Sequence, residues 1–168
     1  MQLAGVKGVI FDLDGTLLES RLDFYKMRQD VGCPQNEDIL TFVAAIACSK
    51  TRSRAEQTII EHELTDARTA GWLNVGLSMV KKVQQANLPM AIVTRNSREA
   101  TGIKLKNNNV PISFVITRED APPKPDPTAL LLVAKKWDMA PADCLYVGDF
   151  MYDRLAAENA GMQWHLIK

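Results

Sequence analysis

The chain has 168 residues, 46% of them hydrophobic and 24% charged, and its 20 basic side chains balance its 20 acidic ones. That length suits one core domain of average size, or a core with a small insertion, and is enough to bury a sizeable apolar interior. With no net charge there is no global field to recruit nucleic acid or an anionic membrane, so any anion site must be local.

Val9, Ile10 and Phe11 form a short apolar run of the kind that makes a buried parallel strand, and it stops at Asp12, Leu13, Asp14 and Gly15. Gly15 lets the backbone leave the strand through a tight turn, to which Thr16 can hydrogen-bond. The pattern then turns helical. Ser20 with Asp23 predicts a capping box for a helix through Leu22, Phe24, Tyr25 and Met27 that breaks at Gly32 and Pro34. Asn36 is expected to cap a second helix through Ile39, Leu40, Val43 and Ile46, and Ser53 with Glu56 to open a third over Ile59, Ile60, Leu64 and Ala67. Together these read as a helical insertion.

From Leu77 the chain alternates helices with short apolar runs. Leu77, Val80 and Val83 give a helical stripe ending near Asn87 and Pro89. Residues 90–93 predict a strand that stops at Thr94, Arg95 and Asn96; Ser97 and Glu99 open the next helix, and Asn107 to Asn109 close it. A strand at 112–116 precedes a proline-dense loop, Pro122 to Pro127, that contains Lys124. A helix over Leu130, Val133, Ala134 and Trp137, a strand at 144–147 ending in Gly148 and Asp149, a helix from Asp153 to Asn159 and a strand at 164–167 complete the chain. Five strand signals separated by helices imply an α/β fold, a parallel sheet covered on both faces.

Cys33, Cys48 and Cys144 are an odd, scattered set without a C-x-x-C pair, which argues for reduced thiols over a zinc site or disulfides. No stretch approaches the roughly 18 unbroken apolar residues of a membrane span. The first residues run straight into the opening strand, leaving no room for a signal peptide. The expectation is a cytoplasmic protein, monomeric or a weak homo-oligomer.

In a parallel sheet all strand carboxyl ends point the same way, so Asp12, Thr94 and Asp149, each directly after a strand run, converge, and Lys124 joins them from a loop. Carboxylates, one ammonium and one hydroxyl suit Mg²⁺ and a phosphoryl group, because hard oxygens take the metal while Lys and Thr hold phosphate oxygens. Each residue alone has a plainer explanation. Thr94 can cap a helix, Lys124 can be a solvated charge, and Asp149 and Asp153 can be helix-entry carboxylates. Their joint occurrence in this order is what points to a site.

At this point the chain resembles a known family. D-L-D-G-T-L at Asp12 to Leu17, Thr94, K-P-D-P at Lys124 to Pro127 and G-D-F-M-Y-D at Gly148 to Asp153 are similar to the four ordered motifs of the haloacid dehalogenase-like hydrolases, with phosphoglycolate phosphatase-like members in view. The resemblance implies a Rossmann-like core at 1–19 and 72–168 under a small α-helical cap at 20–71, inserted after the first strand. It implies that Asp12 is the nucleophile, forming an aspartyl-phosphate, and that Asp14 protonates the leaving oxygen and then activates water. Mg²⁺ would be held by Asp12, the backbone carbonyl of Asp14 and Asp149, with Asp153 supporting it directly or through water; Thr94 and Lys124 would bind phosphoryl oxygens. Asp14 marks phosphoester chemistry, since dehalogenating members lack this residue.

The implied activity is Mg²⁺-dependent hydrolysis of a small phosphorylated metabolite, phosphoglycolate-like or a sugar phosphate. A phosphomutase of the same superfamily stays open, as do, from other classes, a receiver-like signalling domain and a non-catalytic phosphometabolite-binding module. Arg95 follows Thr94 where many relatives have Asn, and either contacts substrate beside the phosphoryl group or points to solvent. Phe150 stands where a small hydroxyl residue often follows the motif Asp. Lys50, Arg52 and Arg54 cluster in the expected break between the second and third helices, as a contact for an acidic substrate or as a solvated loop. His62 and the three tryptophans read as surface or packing residues, with nothing to suggest nucleic acid.

Overall fold

In the computed structural model, which describes residues 1–167, five parallel strands form one sheet in the order β3-β2-β1-β4-β5. β1 (Gly8–Phe11) lies at the centre, between β2 (Met90–Val93) and β4 (Cys144–Gly148), with β3 (Val115–Ile116) and β5 (Gln163–Leu166) at the edges. Val9 pairs in register with Met90 on one side and Leu145 on the other. All four β1 residues are buried, as an unbroken apolar run between two helical layers requires.

Alternation along β1 feeds both layers. Ile10 faces a cluster with Leu130 and Val133 of α6 (Thr128–Lys136) and Ala156 and Ala157 of α7 (Met151–Ala160). Val9 and Phe11 face the other cluster, with Val80 and Val83 of α4 (Asn74–Gln85) and Leu105 of α5 (Arg98–Asn107). The sheet is thus covered on both faces, a Rossmann-like arrangement. β3 is shorter than the expected 112–116. Pro111 has no N–H for a ladder, and Ile112 buries its side chain in the core before pairing begins at Val115.

Three helices stand between β1 and α4: α1 (Phe24–Val31), α2 (Ile39–Ala44) and α3 (Ser49–Ala67). They share a separate apolar cluster of Met27, Ile39, Val43, Ala55 and Ile59. Their starts differ from expectation. Asp23, not Ser20, caps α1 and accepts from the Lys26 amide at 2.9 Å, while Asp38, not Asn36, caps α2 and accepts from the Thr41 amide at 3.0 Å. α3 begins at Ser49, a turn before Ser53, because the Arg52 guanidinium donates to the Ile46 carbonyl at 2.8 Å and closes the corner with α2. Lys50, Arg52 and Arg54 therefore sit on the first turns of a helix and not in a break. No described helix is long and apolar enough to cross a membrane.

The turn after β1 is built tightly. Gly15, at φ +78°, donates to the Leu18 carbonyl at 2.8 Å, and Leu17 donates back to Leu13 at 2.9 Å. α4 presses on this turn through Gly76, where an added Cβ would lie 2.6 Å from the Leu17 Cα and 2.7 Å from the carbonyl oxygens of Thr16 and Leu17. Those neighbours are backbone and cannot rotate away. Gly76→Ala is expected to destabilise the fold by about 1–3 kcal/mol, read as a lower urea midpoint with an unchanged slope. An unshifted midpoint would show that α4 does not clamp the turn.

Candidate active site

Asp12 leaves β1 with its amide donating to the Val147 carbonyl at 2.8 Å, which fixes its carboxylate at the carboxyl end of the central strand. The Lys124 ammonium, buried, donates to Asp12 Oδ1 at 2.7 Å, to Asp153 Oδ1 at 2.6 Å and to the Tyr146 hydroxyl at 2.6 Å. All three of its protons are thereby used. Burial pushes the Asp12 carboxyl well above the usual carboxylate range, with the Lys124 charge working against that rise. Burial alone would lower Lys124, but the charges of Asp12 and Asp153 reverse this and hold it above its usual value.

Asp12, Asp149 and Asp153 each bring a carboxylate oxygen within 4.8 Å of the others. The donor set is hard oxygen only, which suits Mg²⁺. The three carboxylates are not equivalent, however. Asp153 accepts from Lys124 and, at 3.1 Å, from Tyr146 through Oδ1, and from the amides of Asp149 and Phe150 at 3.1 and 3.0 Å through Oδ2. Its lone pairs are filled, and these partners outweigh burial to hold its pKa below the usual range. Among the described residues Asp149 accepts from one other side chain, the Thr16 hydroxyl at 3.0 Å on Oδ1, and Asp12 from one, Lys124 on Oδ1, which leaves room on each carboxylate for a cation. Burial raises the Asp149 pKa against the pull of Thr16.

Two glycines make room for these groups. A Cβ on Gly15 would lie 2.5 Å from Asp149 Oδ2, and one on Gly148 2.3 Å from the Asp153 Cγ. Here the motif glycines are required by close approach as well as by turning.

Asp14 points to a different set of partners. Asn96 donates to its Oδ2 at 2.8 Å, and Lys104 of α5 donates to its Oδ1. Lys104 is fully buried and also donates to Asp66 of α3 at 2.6 Å, whose other oxygen takes the Arg21 amide at 2.7 Å. Burial is the main cause that raises the Asp14 pKa to about 6, with Lys104 opposing it. Beside this link Glu63 of α3 accepts from the Ser97 amide at 3.2 Å and from Arg118. The helical block is therefore tied to the sheet by buried ion pairs next to Asp14.

Between block and sheet lies a cavity of about 520 Å³. Asp12, Asp14, Thr94, Lys124, Asp149 and Asp153 form its floor. The profile of the family described as haloacid dehalogenase-like hydrolase matches residues 32–167. The chain belongs to this family. It is similar to hexitol phosphatase A of Escherichia coli, at 31% identity over 92% of this chain and 80% of that one. Phosphoglycolate phosphatase of Photobacterium profundum is 30% identical, over 95% and 82%. Among solved structures, a hydrolase from Pseudomonas syringae superposes with a TM-score of 0.76 over 94% of this chain and 82% of that chain, at 23% identity.

The structure of this hydrolase gathers Asp12, Asp14, Thr94, Arg95, Lys124, Asp149 and Asp153 at one cavity. Thr94 is buried, and Ser97, not Thr94, caps α5, accepting from the Ala100 amide at 3.4 Å. Arg95 does not reach into solvent. It pairs with Asp38 of α2, donates to the Lys124 carbonyl and lies 4.7 Å from the Tyr152 ring centroid. Burial opposes ionisation of Asp38, but Arg95 and Thr41 outweigh it and hold its pKa below the usual range. Arg52 and Arg54 are not among the cavity-lining residues, because α3 starts early and carries Arg52 to the Ile46 carbonyl and Arg54 to an exposed face. Phe150, in place of a small hydroxyl, stands at the cavity rim edge-on to Tyr152, with centroids 5.2 Å apart.

Sequence reasoning missed Tyr146, Asn96, Lys104, Glu63 and Asp66. Only Lys104 left a trace, sharing a helical face with Ala100 and Thr101, both buried. Replacing Lys104 with Met would strand the buried carboxylate of Asp66 and the half-buried one of Asp14 without this counter-charge, and should cost about 3 kcal/mol in urea unfolding. A loss below about 1 kcal/mol would mean that the link is solvated and weak.

Proposed function

We propose that this hydrolase is a Mg²⁺-dependent phosphatase of a small phosphorylated metabolite, with residues 20–71 acting as a cap over a core of residues 1–19 and 72–168. The observation that carries this reading is the pairing of Asp12 with Lys124 at 2.7 Å, two residues from a second carboxylate held apart by Asn96 and Lys104. Two neighbouring acids with different partners can divide the work of nucleophile and acid/base. That the relatives named above include a hexitol phosphatase and a phosphoglycolate phosphatase agrees with it.

In this mechanism a carboxylate oxygen of Asp12 attacks phosphorus, and the ester oxygen leaves as Asp14 delivers its proton. A carboxyl titrating at about 6 can give up and regain a proton near neutrality. Asp14, now ionised, takes a proton from the water that attacks the aspartyl-phosphate, freeing phosphate and restoring Asp12. Lys124 lies beside the attacking carboxylate and offsets its repulsion from the anionic ester, and Thr94 holds a phosphoryl oxygen. Mg²⁺ would be held by Asp12, Asp149 and the Asp14 carbonyl, and when bound it supplies positive charge for the phosphoryl oxygens. Asp153, with its lone pairs filled, acts as the strut that orients Lys124 and the Asp149 backbone.

Phosphate release from 4-nitrophenyl phosphate should require Mg²⁺ and cease with a chelator. Asp12→Asn should lower turnover at least about a thousandfold, because an amide cannot form the acyl phosphate. Activity that survives either change would overturn the assignment.

A further inference from the structure

Resting on the phosphatase reading, the lining of the cavity points to a narrower substrate class. We propose that the leaving group is uncharged and has an apolar, aromatic body, so that the substrate is an aryl or arylalkyl type of phosphate monoester and not a phosphorylated acid or an open polyol.

The first argument is charge. Above the catalytic floor the cavity has two cationic side chains, Arg28 and Arg95. Arg28 donates to the carbonyls of Glu37 and Phe24 at 3.0 and 3.3 Å, and Arg95 is committed to Asp38 and the Lys124 carbonyl. The two acids on that wall are committed too, Glu63 to Arg118 and the Ser97 amide, and Asp38 to Arg95 and Thr41. Among the described residues a substrate carboxylate would therefore meet one cation without an acidic partner, Arg28, whose Nε and Nη1 are already turned to backbone carbonyls, and no second free charge to clamp it.

The second argument is surface. The rest of the wall is mostly apolar, Leu22, Phe24, Met27, Ile39, Leu40 and, on the sheet side, Phe150 with Tyr152, with Ser20 and Asn96 as the polar exceptions. Phe24 is 50% exposed and Phe150 55%, and both stand over the same opening. Large apolar side chains left facing solvent around a cleft mark a binding surface. A polyol would lose water from each hydroxyl there and regain few hydrogen bonds.

The third argument is size. Clefts of roughly 300–1,000 Å³ house ligands of many heavy atoms, and 520 Å³ is far more than a phosphoryl group on a two-carbon acid would fill. Small apolar differences are read in such pockets at roughly 10–200-fold. Phe24 opens α1 from an exposed position, so its truncation spares the buried cluster of the block.

The test compares benzyl phosphate with phosphoglycolate, both esters of primary alcohols, so the chemistry at phosphorus is matched. The native protein should show kcat/KM at least about tenfold higher for benzyl phosphate. Phe24→Ala should remove about tenfold from benzyl phosphate, chiefly through KM, while phosphoglycolate changes by less than about twofold. Equal or better use of phosphoglycolate, or equal losses on both esters in Phe24→Ala, would overturn the proposal. If no ester is hydrolysed, 4-nitrophenyl phosphate included, the phosphatase reading fails, and calorimetric binding to the Asp12→Asn protein decides the specificity separately. Tighter binding of benzyl phosphate than of phosphoglycolate upholds the apolar site, and equal or weaker binding rejects it.

Discussion

Carboxylates gathered around one end of a parallel sheet repel one another and lose water, and two buried ammonium groups offset this. Lys124 stands between Asp12 and Asp153, and Lys104 between Asp14 and Asp66. Without them the desolvated charges would oppose folding by several kcal/mol each. With them the acids divide into two electrostatic neighbourhoods. Asp12 shares its ammonium with Asp153, while Asp14 shares one with a residue of the helical block. Two residues apart on the chain, the acids are thus given different partners, the condition for giving them different chemical roles.

The same economy ties the helical block to the sheet. Among the described residues, three ion pairs that are not solvent-exposed cross the boundary, Lys104 with Asp66, Arg118 with Glu63 and Arg95 with Asp38, and two of them border Asp14 or the backbone after Thr94. Apolar packing within the block is separate from the sheet's two clusters. The cavity between them is therefore shaped by polar ties at its base and apolar side chains at its rim. Charges spent on holding the block in place are no longer free to bind a substrate anion.

The sheet and the floor of the site were legible because each rests on a local signal. Val9 to Phe11 reads as a buried strand in any setting, and the Asp, Thr and Lys that end strands or fill the proline loop converge once all strands run the same way. Helix starts were less legible. Several capping residues compete before each helix, and the winners, Asp23 and Asp38, are the residues directly before the first helical residue, where the side chain reaches the amide three positions on. Partners such as Lys104, Glu63 and Asp66 were out of reach, since a charged residue on an amphipathic helix looks solvated until the element that covers it is known. Arg95 illustrates the same limit, because its partner Asp38 lies 57 positions away. The cluster at Arg52 and Arg54 misled because the break between helices ends earlier than its capping signals suggest.

The most direct test of the central claim is mass spectrometry of the native protein, acid-quenched during turnover of a phosphate ester with Mg²⁺. The chemistry set out above predicts one phosphoryl group on the peptide that contains Asp12, on that side chain, absent when substrate is omitted. Turnover with no such adduct at any quench time, or with the phosphoryl group on another residue, would contradict it.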